Sequence, residues 1–358
     1  MDTPTLVALA FAALGATPAF GDDPVAALAH RIEQGSAKLQ YAPVYGYLPA
    51  LLEQLHVPVE SQMAVFSKTS IQSMHIEPAN PRVLYFNDSV AVGWVRGGFI
   101  EMAAQDPGNG IRFYVLFQRP DEHFIRRLDC VKCHKSNTLL VHSADSAPFG
   151  APTNQIDVDG RTPFSKLWGG WFVTGREVPA VHKGNAVFDK AERHEITPAL
   201  DPKFSLTPSS DVVALMVFAH QMRMMNLLAY PDNIDELVDS LLFTDEAPLP
   251  GPIRGSSGFA EKFSSTGPRD SKGRSLREFD PARRLMRYPC SYMIYTEAFD
   301  ALPAERKEAV YRRMWQILSG EVTEARYGRI SLSDRQAAVE ILRDTKKGLP
   351  GYFQRVVR

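Results

Sequence analysis

The stretch RVLYFNDSVAVGWV (82–95) sets the period of the N-terminal half of the chain. β-Branched and aromatic residues crowd both ends, and the turn pair Asn87-Asp88 divides them, which is the pattern of two short antiparallel strands. Working outward, QMAVFS (62–67) and IRFYVLFQ (111–118) have the same composition, and the second follows the turn-forming run Asp106-Pro-Gly-Asn-Gly110. Together they predict an antiparallel sheet or meander. A further patch, LWGGWFVTG (167–175), reads as another strand pair in which glycine marks a bulge or a close approach. Upstream the period changes: PVAALAHRIEQGSAKL (24–39) and GYLPALLEQLH (46–56) have helical spacing, with Pro24 suited to a first turn.

Beyond about Asp201 the pattern is helical. SSDVVALMVFAHQMRMMNLLAY (209–230) opens with capping residues and is apolar almost all round, which predicts a buried central helix. DNIDELVDSLLF (232–243), AERKEAVYRRMWQILSG (304–320) and LSDRQAAVEILRDTKKG (332–348) are amphipathic, and the last two end on glycine. Residues 246–284 are dense in Pro, Gly, Ser and Arg, a connection long enough to be functional or wrapped onto something. The expected fold class is therefore α+β: a β-rich region over 22–200 and a helical region over 201–358. Residues 1–21 form a separate segment with an apolar run from Leu6 to Phe20. That run is too short to span a bilayer, and Ala19-Phe20-Gly21 places small residues where a signal peptidase reads, so cleavage before Asp22 and export to the periplasm are expected. The missing Lys or Arg before the run argues against a complete signal, and an amphipathic first helix is the alternative.

The chain carries 40 basic and 41 acidic residues; loss of Asp2 with residues 1–21 leaves the two equal. Such a balance gives no electrostatic case for nucleic acid or an anionic membrane surface. Locally, residues 269–287 hold seven basic and three acidic side chains, which suits either an acidic redox partner protein or an ordinary solvated face.

Directly after the expected sheet comes DCVKCHKSN (129–137), in which Cys130, Cys133 and His134 stand as C-x-x-C-H. Two intervening residues put both thiols on one side of a tight turn, at a separation matching two haem vinyl groups, with His134 next in line to ligate the iron. A zinc site would need two more thiolates or imidazoles at matching spacing, and only Cys290 remains. A redox dithiol belongs at the start of a helix in a βαβ unit, which the flanks do not supply. Residues 130–134 resemble the attachment motif of c-type cytochromes, which implies one covalent haem c. VFSKTS (65–70), LYFND (84–88), WGGWFVTG (168–175), HKGN (182–185), PIRGSSGFAEKF (252–263) and RYPCSYMIY (287–295) resemble a family of long, exported bacterial proteins with one haem motif. That wider resemblance implies export and haem, and supplies no reaction.

Other candidates are ranked around that motif. Arg127, with Arg126 beside it, and Arg254 in the glycine-rich PIRGSSG are candidates to pair haem propionates, against the plainer reading of solvated or salt-bridged arginines. For the sixth iron position the candidates are His220, on the apolar helix, and His182, beyond the aromatic WGGWF patch; either could instead be a hydrogen-bonded structural histidine. Met222, Met224, Met225 and Cys290 read as core filler. The functional expectation is a periplasmic mono-haem electron-transfer protein. The alternatives are a peroxidase-like haem oxidoreductase, with His182 or His220 as distal acid and base, and a haem-based sensor of small ligands.

Overall fold

A computed structural model describes residues 23–357 except 120–122, 136, 137, 191, 199, 204, 281 and 283. The segment expected to be a cleaved leader lies outside these residues. The fold is α+β, built on one seven-stranded antiparallel sheet. Strands β1 (Met63–Val65), β2 (Arg82–Phe86), β3 (Val90–Trp94), β4 (Ile100–Asp106), β5 (Gly110–Leu116) and β6 (Ile125–Arg126) run as a meander. A short strand, β9 (Trp171–Phe172), closes the far edge beside β1, giving the order β6-β5-β4-β3-β2-β1-β9.

The sheet alternates strictly, so each face has its own core. On one face Val83, Tyr85, Val92, Trp94, Met102 and Tyr114 pack under α1 (Pro24–Glu33) and α2 (Leu48–Gln54). Asp23 caps α1, its Oδ1 accepting from the N–H groups of Val25 and Ala26, while Oδ2 accepts from Tyr114 Oη at 2.5 Å. The expected first helix stops at Glu33, short of 39, because Gly35 turns the chain at positive φ and Ser36 Oγ ties back to the Arg31 carbonyl.

The opposite face carries Leu84, Phe86, Ala91, Ile111 and Phe113 and meets the helical residues of the C-terminal half. Across it lies α3 (Val212–Ala229), whose length and apolarity would suit a membrane span but which is 78% buried inside the molecule. Asp211 caps it through Oδ1, as the sequence signals. Phe218 meets Phe86 at 5.2 Å between ring centroids, and Gln105 of β4 donates to the Met225 carbonyl, so sheet and helix share one core. On α3 pack α4 (Ile234–Leu241), α5 (Phe259–Ser265) and α6 (Glu297–Asp300), while α7 (Ala304–Ser319) packs on α4 and α8 (Leu332–Thr345) on α7.

Three two-stranded hairpins lie outside the sheet: β7 (His142–Ser146) with β8 (Pro152–Asp157), β10 (Ala186–Asp189) with β11 (Glu192–Glu195), and β12 (Phe279–Asp280) with β13 (Arg284–Met286). The strand pair expected over 167–175 is narrower than its composition suggests. Only Trp171 and Phe172 join the sheet, while Trp168 and Gly170 take positive φ and bend the chain so that Gly170 passes against Ser67.

Candidate functional site

The last pairing of the sheet leads directly into the C-x-x-C-H motif. After Ile125 and Arg126 pair with β5, the Arg127 N–H still donates to the Phe113 carbonyl, and the chain then closes a 3₁₀ turn over Asp129–Lys132. Arg127 holds the entrance with two bonds to the Asp129 carboxylate, at 2.7 and 2.6 Å, and this guanidinium draws the Asp129 carboxyl down to about 2. The amides of Cys133 and His134 both reach back to the Cys130 carbonyl, which draws the two cysteines and the histidine into a single turn. All three cysteines of the chain are free thiols; Cys130 is half-buried and packed against the core, Cys133 is exposed. Burial raises the Cys130 thiol above its ordinary value.

His134 rests on the sheet. Its ring lies over Phe113 at 4.7 Å and 31°, and Nδ1 is 2.9 Å from the Thr138 carbonyl. A carbonyl only accepts, so Nδ1 carries the proton and Nε2 keeps its lone pair. Among the described residues no hydrogen-bonding partner meets that Nε2. Burial lowers the His134 pKa and keeps the ring neutral, the state in which imidazole binds metal. The strands beneath contribute Arg82 and Glu101, paired at 2.6 Å, whose charges His134 feels. Gly93, in register with Leu84 on β2 and Glu101 on β4, leaves room for the Arg82 guanidinium; a Cβ there would fall 2.4 Å from Nη2. Past the motif, Asn226 of α3 grips the backbone of Leu139 from both sides, accepting its N–H at 2.7 Å and donating to its carbonyl at 2.8 Å.

These features fit a covalent haem: two unpaired thiols on one turn, one of them solvent-facing, and a neutral imidazole oriented through its far nitrogen. Cys130, Cys133 and His134 would hold the group. Among the described residues no cluster of three or more His, Cys, Asp or Glu forms an alternative metal site.

The other expected residues are placed elsewhere. Arg254 is 73% exposed and pairs with Glu177 at 3.3 Å, lining a groove with Arg176, Val213 and Phe279 that includes no motif residue. The glycine beside it does allow a close approach, to a different group. Gly255 passes the Asp211 carboxylate, whose Oδ2 accepts from the amides of Ser256 and Ser257, so the loop wraps the start of α3. His220 is 2% exposed: Nε2 is hydrogen-bonded to Ser291 Oγ at 2.8 Å, and Nδ1 faces Glu246 Oε1 at 3.2 Å without hydrogen-bond alignment. The polar groups that its burial demanded are thus protein groups, Ser291 at Nε2 and Glu246 facing Nδ1. Ser, His and Glu here have the order of an activated nucleophile, yet Ser291 is wholly buried and its Oγ also accepts from the Met293 amide. A neighbouring cavity of about 340 Å³ is lined by Glu246 and Phe243 but not by Ser291. His182 lies against the edge-to-face pair of Phe164 and Trp168 with Nδ1 buried and unpartnered, and burial lowers its pKa.

Met222, Met224, Met225 and Cys290 are buried as expected, and burial pushes the Cys290 thiol up to about 12. The basic run at 269–287 is largely neutralised at home. Its six described basic side chains, Arg269, Lys272, Arg274, Arg277, Arg284 and Arg287, all pair with carboxylates. Sequence reasoning did not single out Phe113, Thr138, Arg82, Glu101 or Asn226 as parts of this site. Only the sheet register and the packing of α3 reveal them.

No family model, curated protein or solved structure matches the chain.

Proposed function

We propose that the chain is an exported mono-haem c-type cytochrome that carries electrons through one covalently bound haem. The observation that carries this reading is the pairing of two free thiols on a single turn with an imidazole whose Nδ1 is held by the Thr138 carbonyl and whose Nε2 is unclaimed. The haem, when bound, supplies one-electron chemistry. The protein's part would be to hold it: Cys130 and Cys133 would supply the thioether sulfurs and His134 an imidazole ligand, with Phe113 as the wall against the imidazole and Asn226 as the tie between this segment and the central helix. In this reading the β-rich N-terminal half carries the haem, the helical half packs over that region, and the apolar run from Leu6 to Phe20 directs the chain to the periplasm, where such attachment takes place.

Arg127 is the propionate candidate that lies beside the motif, already charge-paired with Asp129. Arg254 is carried no further, since it belongs to a different groove. The partner is a redox protein of unspecified charge, because the one strongly basic run is internally paired. Replacing both Cys130 and Cys133 by alanine should abolish haem staining of the denatured exported protein. Retention of the stain in that variant contradicts the proposal.

A further inference from the structure

We infer, independently of the haem reading, that the cavity beside Glu246 binds a small zwitterion with an apolar side chain, an apolar α-amino acid. The cavity, of about 340 Å³, lies where α3, the end of α4, β13 and the start of α8 meet. Small-molecule sites span roughly 300–1,000 Å³, so this one suits a single compact molecule. Met216, Leu242, Leu285, Met286 and Ile330 give it apolar walls.

Two polar atoms of its lining residues are buried without a hydrogen bond: Glu246 Oε1, an acceptor, and Arg284 Nε, a donor. The Glu246 side chain is 13% exposed, and among the described residues no N–H or O–H hydrogen-bonds to either carboxylate oxygen; His220 Nδ1 faces Oε1 at 3.2 Å out of alignment. A carboxylate so shielded is costly until donors meet it, and a charged N–H is the strongest donor available. The protein nevertheless holds it in place. The Ala247 N–H donates to the Gly160 carbonyl at 2.9 Å, and Arg329 donates to the carbonyls of Thr244 and Glu246 at 3.2 and 3.1 Å. Gly160 leaves the carboxylate its space, since a Cβ there would fall 2.8 Å from Oε1. Phe243, also on the wall, sits at φ 54° just past α4, where helices commonly take glycine, and its ring lies over His220 at 4.6 Å. A bulky residue kept in left-handed backbone is the kind of strain that gathers at ligand sites.

Charge decides the ligand class. The lining holds two carboxylates, Glu246 and Asp334, and two guanidiniums, Arg284 and Arg329. Arg284 pairs with Asp334 at 3.0 Å through Nη2. Arg329 meets only backbone carbonyls among the described residues, so Glu246 and Arg329 are left as one negative and one positive charge without an ion-pair partner in hydrogen-bond alignment. A simple amine would answer Glu246 alone, and a simple carboxylic acid would answer only the arginines. A zwitterion answers both: its ammonium on Glu246, its carboxylate toward Arg284 Nε and Arg329, its side chain against the apolar walls.

The test is isothermal titration calorimetry on the full-length exported protein with L-leucine and L-phenylalanine, each beside its amine and its deaminated acid: isopentylamine and isocaproate, phenethylamine and phenylpropanoate. The tighter of the two amino acids is expected to bind at one site. Both of its fragments should bind about tenfold or more weakly, the loss expected when a charged hydrogen bond is removed. Glu246→Gln should weaken the amino acid by a similar factor, while Arg254→Ala, in the neighbouring groove, leaves binding unchanged. Absence of binding by both amino acids at millimolar concentration overturns the inference. So does a fragment that binds as tightly as its amino acid, a Glu246→Gln protein with wild-type affinity, or loss of binding in Arg254→Ala, which would move the site to the groove. Should Glu246→Gln fail to accumulate, the ligand series on the wild-type protein decides alone.

Discussion

Two neighbourhoods in this molecule combine cysteine and histidine, and they are built oppositely. At the end of the sheet, Cys130, Cys133 and His134 share one turn, the thiols are free, and the imidazole is held by one nitrogen only. In the helical half, Cys290 and His220 are buried, the thiol is pushed up to about 12 by burial, and both imidazole nitrogens meet protein groups. The difference lies in what each residue has left over. A buried polar group in a core must be satisfied internally, and that satisfaction removes it from chemistry. A site that will receive a ligand keeps one oriented lone pair unclaimed, at the edge of a rigid element.

That contrast can be broken by mutations that separate stability from haem coordination. The largest loss of stability is expected where sheet and helix meet: Phe218→Ala removes the ring packed on Phe86 and should cost about 3–5 kcal/mol in denaturant unfolding of the haem-loaded protein. Next comes His220→Ala, which strips the partner from a buried carboxylate and hydroxyl. It should cost about 2–3 kcal/mol and leave the haem absorption untouched. A change in spin state at His220 would erase the distinction drawn here. Asn226→Ala unpairs one N–H and one carbonyl of Leu139, for about 1–2 kcal/mol, and it alone of these three should disturb both stability and the haem spectrum. Smallest is Arg127→Ala. The pair with Asp129 is largely solvent-facing, so stability should change by less than about 1 kcal/mol and attachment should persist.

Chemical modification sharpens the same comparison without mutation. In protein expressed so that haem is not attached, iodoacetamide should label Cys133 rapidly and Cys130 more slowly, and reach Cys290 only on unfolding. Exposed Cys133, half-buried Cys130 and fully buried Cys290 set that order. Rapid native labelling of Cys290 would show that the helical core is open.

Much of the frame was legible because local signals agreed with tertiary demand. The meander at 82–95 and 111–118, the capped central helix and the closing amphipathic helices all carry their period in the sequence. Strand β4 was not, because Ile-Glu-Met-Ala-Ala-Gln has the composition of a helix; it is a strand because β3 and β5 pair with it on both sides. Missing β4 hides the register that sets Glu101 beside Gly93 and Ala103 beside Phe113, and with it the floor of the motif. Hairpins such as β7–β8, rich in Ser, Asp and Pro, give weak strand signals for a similar reason. The motif itself was fully visible. Its companions were not, since Thr138 acts through its backbone carbonyl and Asn226 reaches the backbone of Leu139 from far along the sequence.

The central claim is that the turn at Cys130–His134 carries a covalently attached haem, and intact mass spectrometry of the exported, denatured protein tests it most directly. The account predicts a polypeptide mass increased by that of one haem, with haem-bearing peptides spanning Cys130 and Cys133. A mass equal to that of the bare polypeptide, from cells able to attach haem to other proteins, would contradict it.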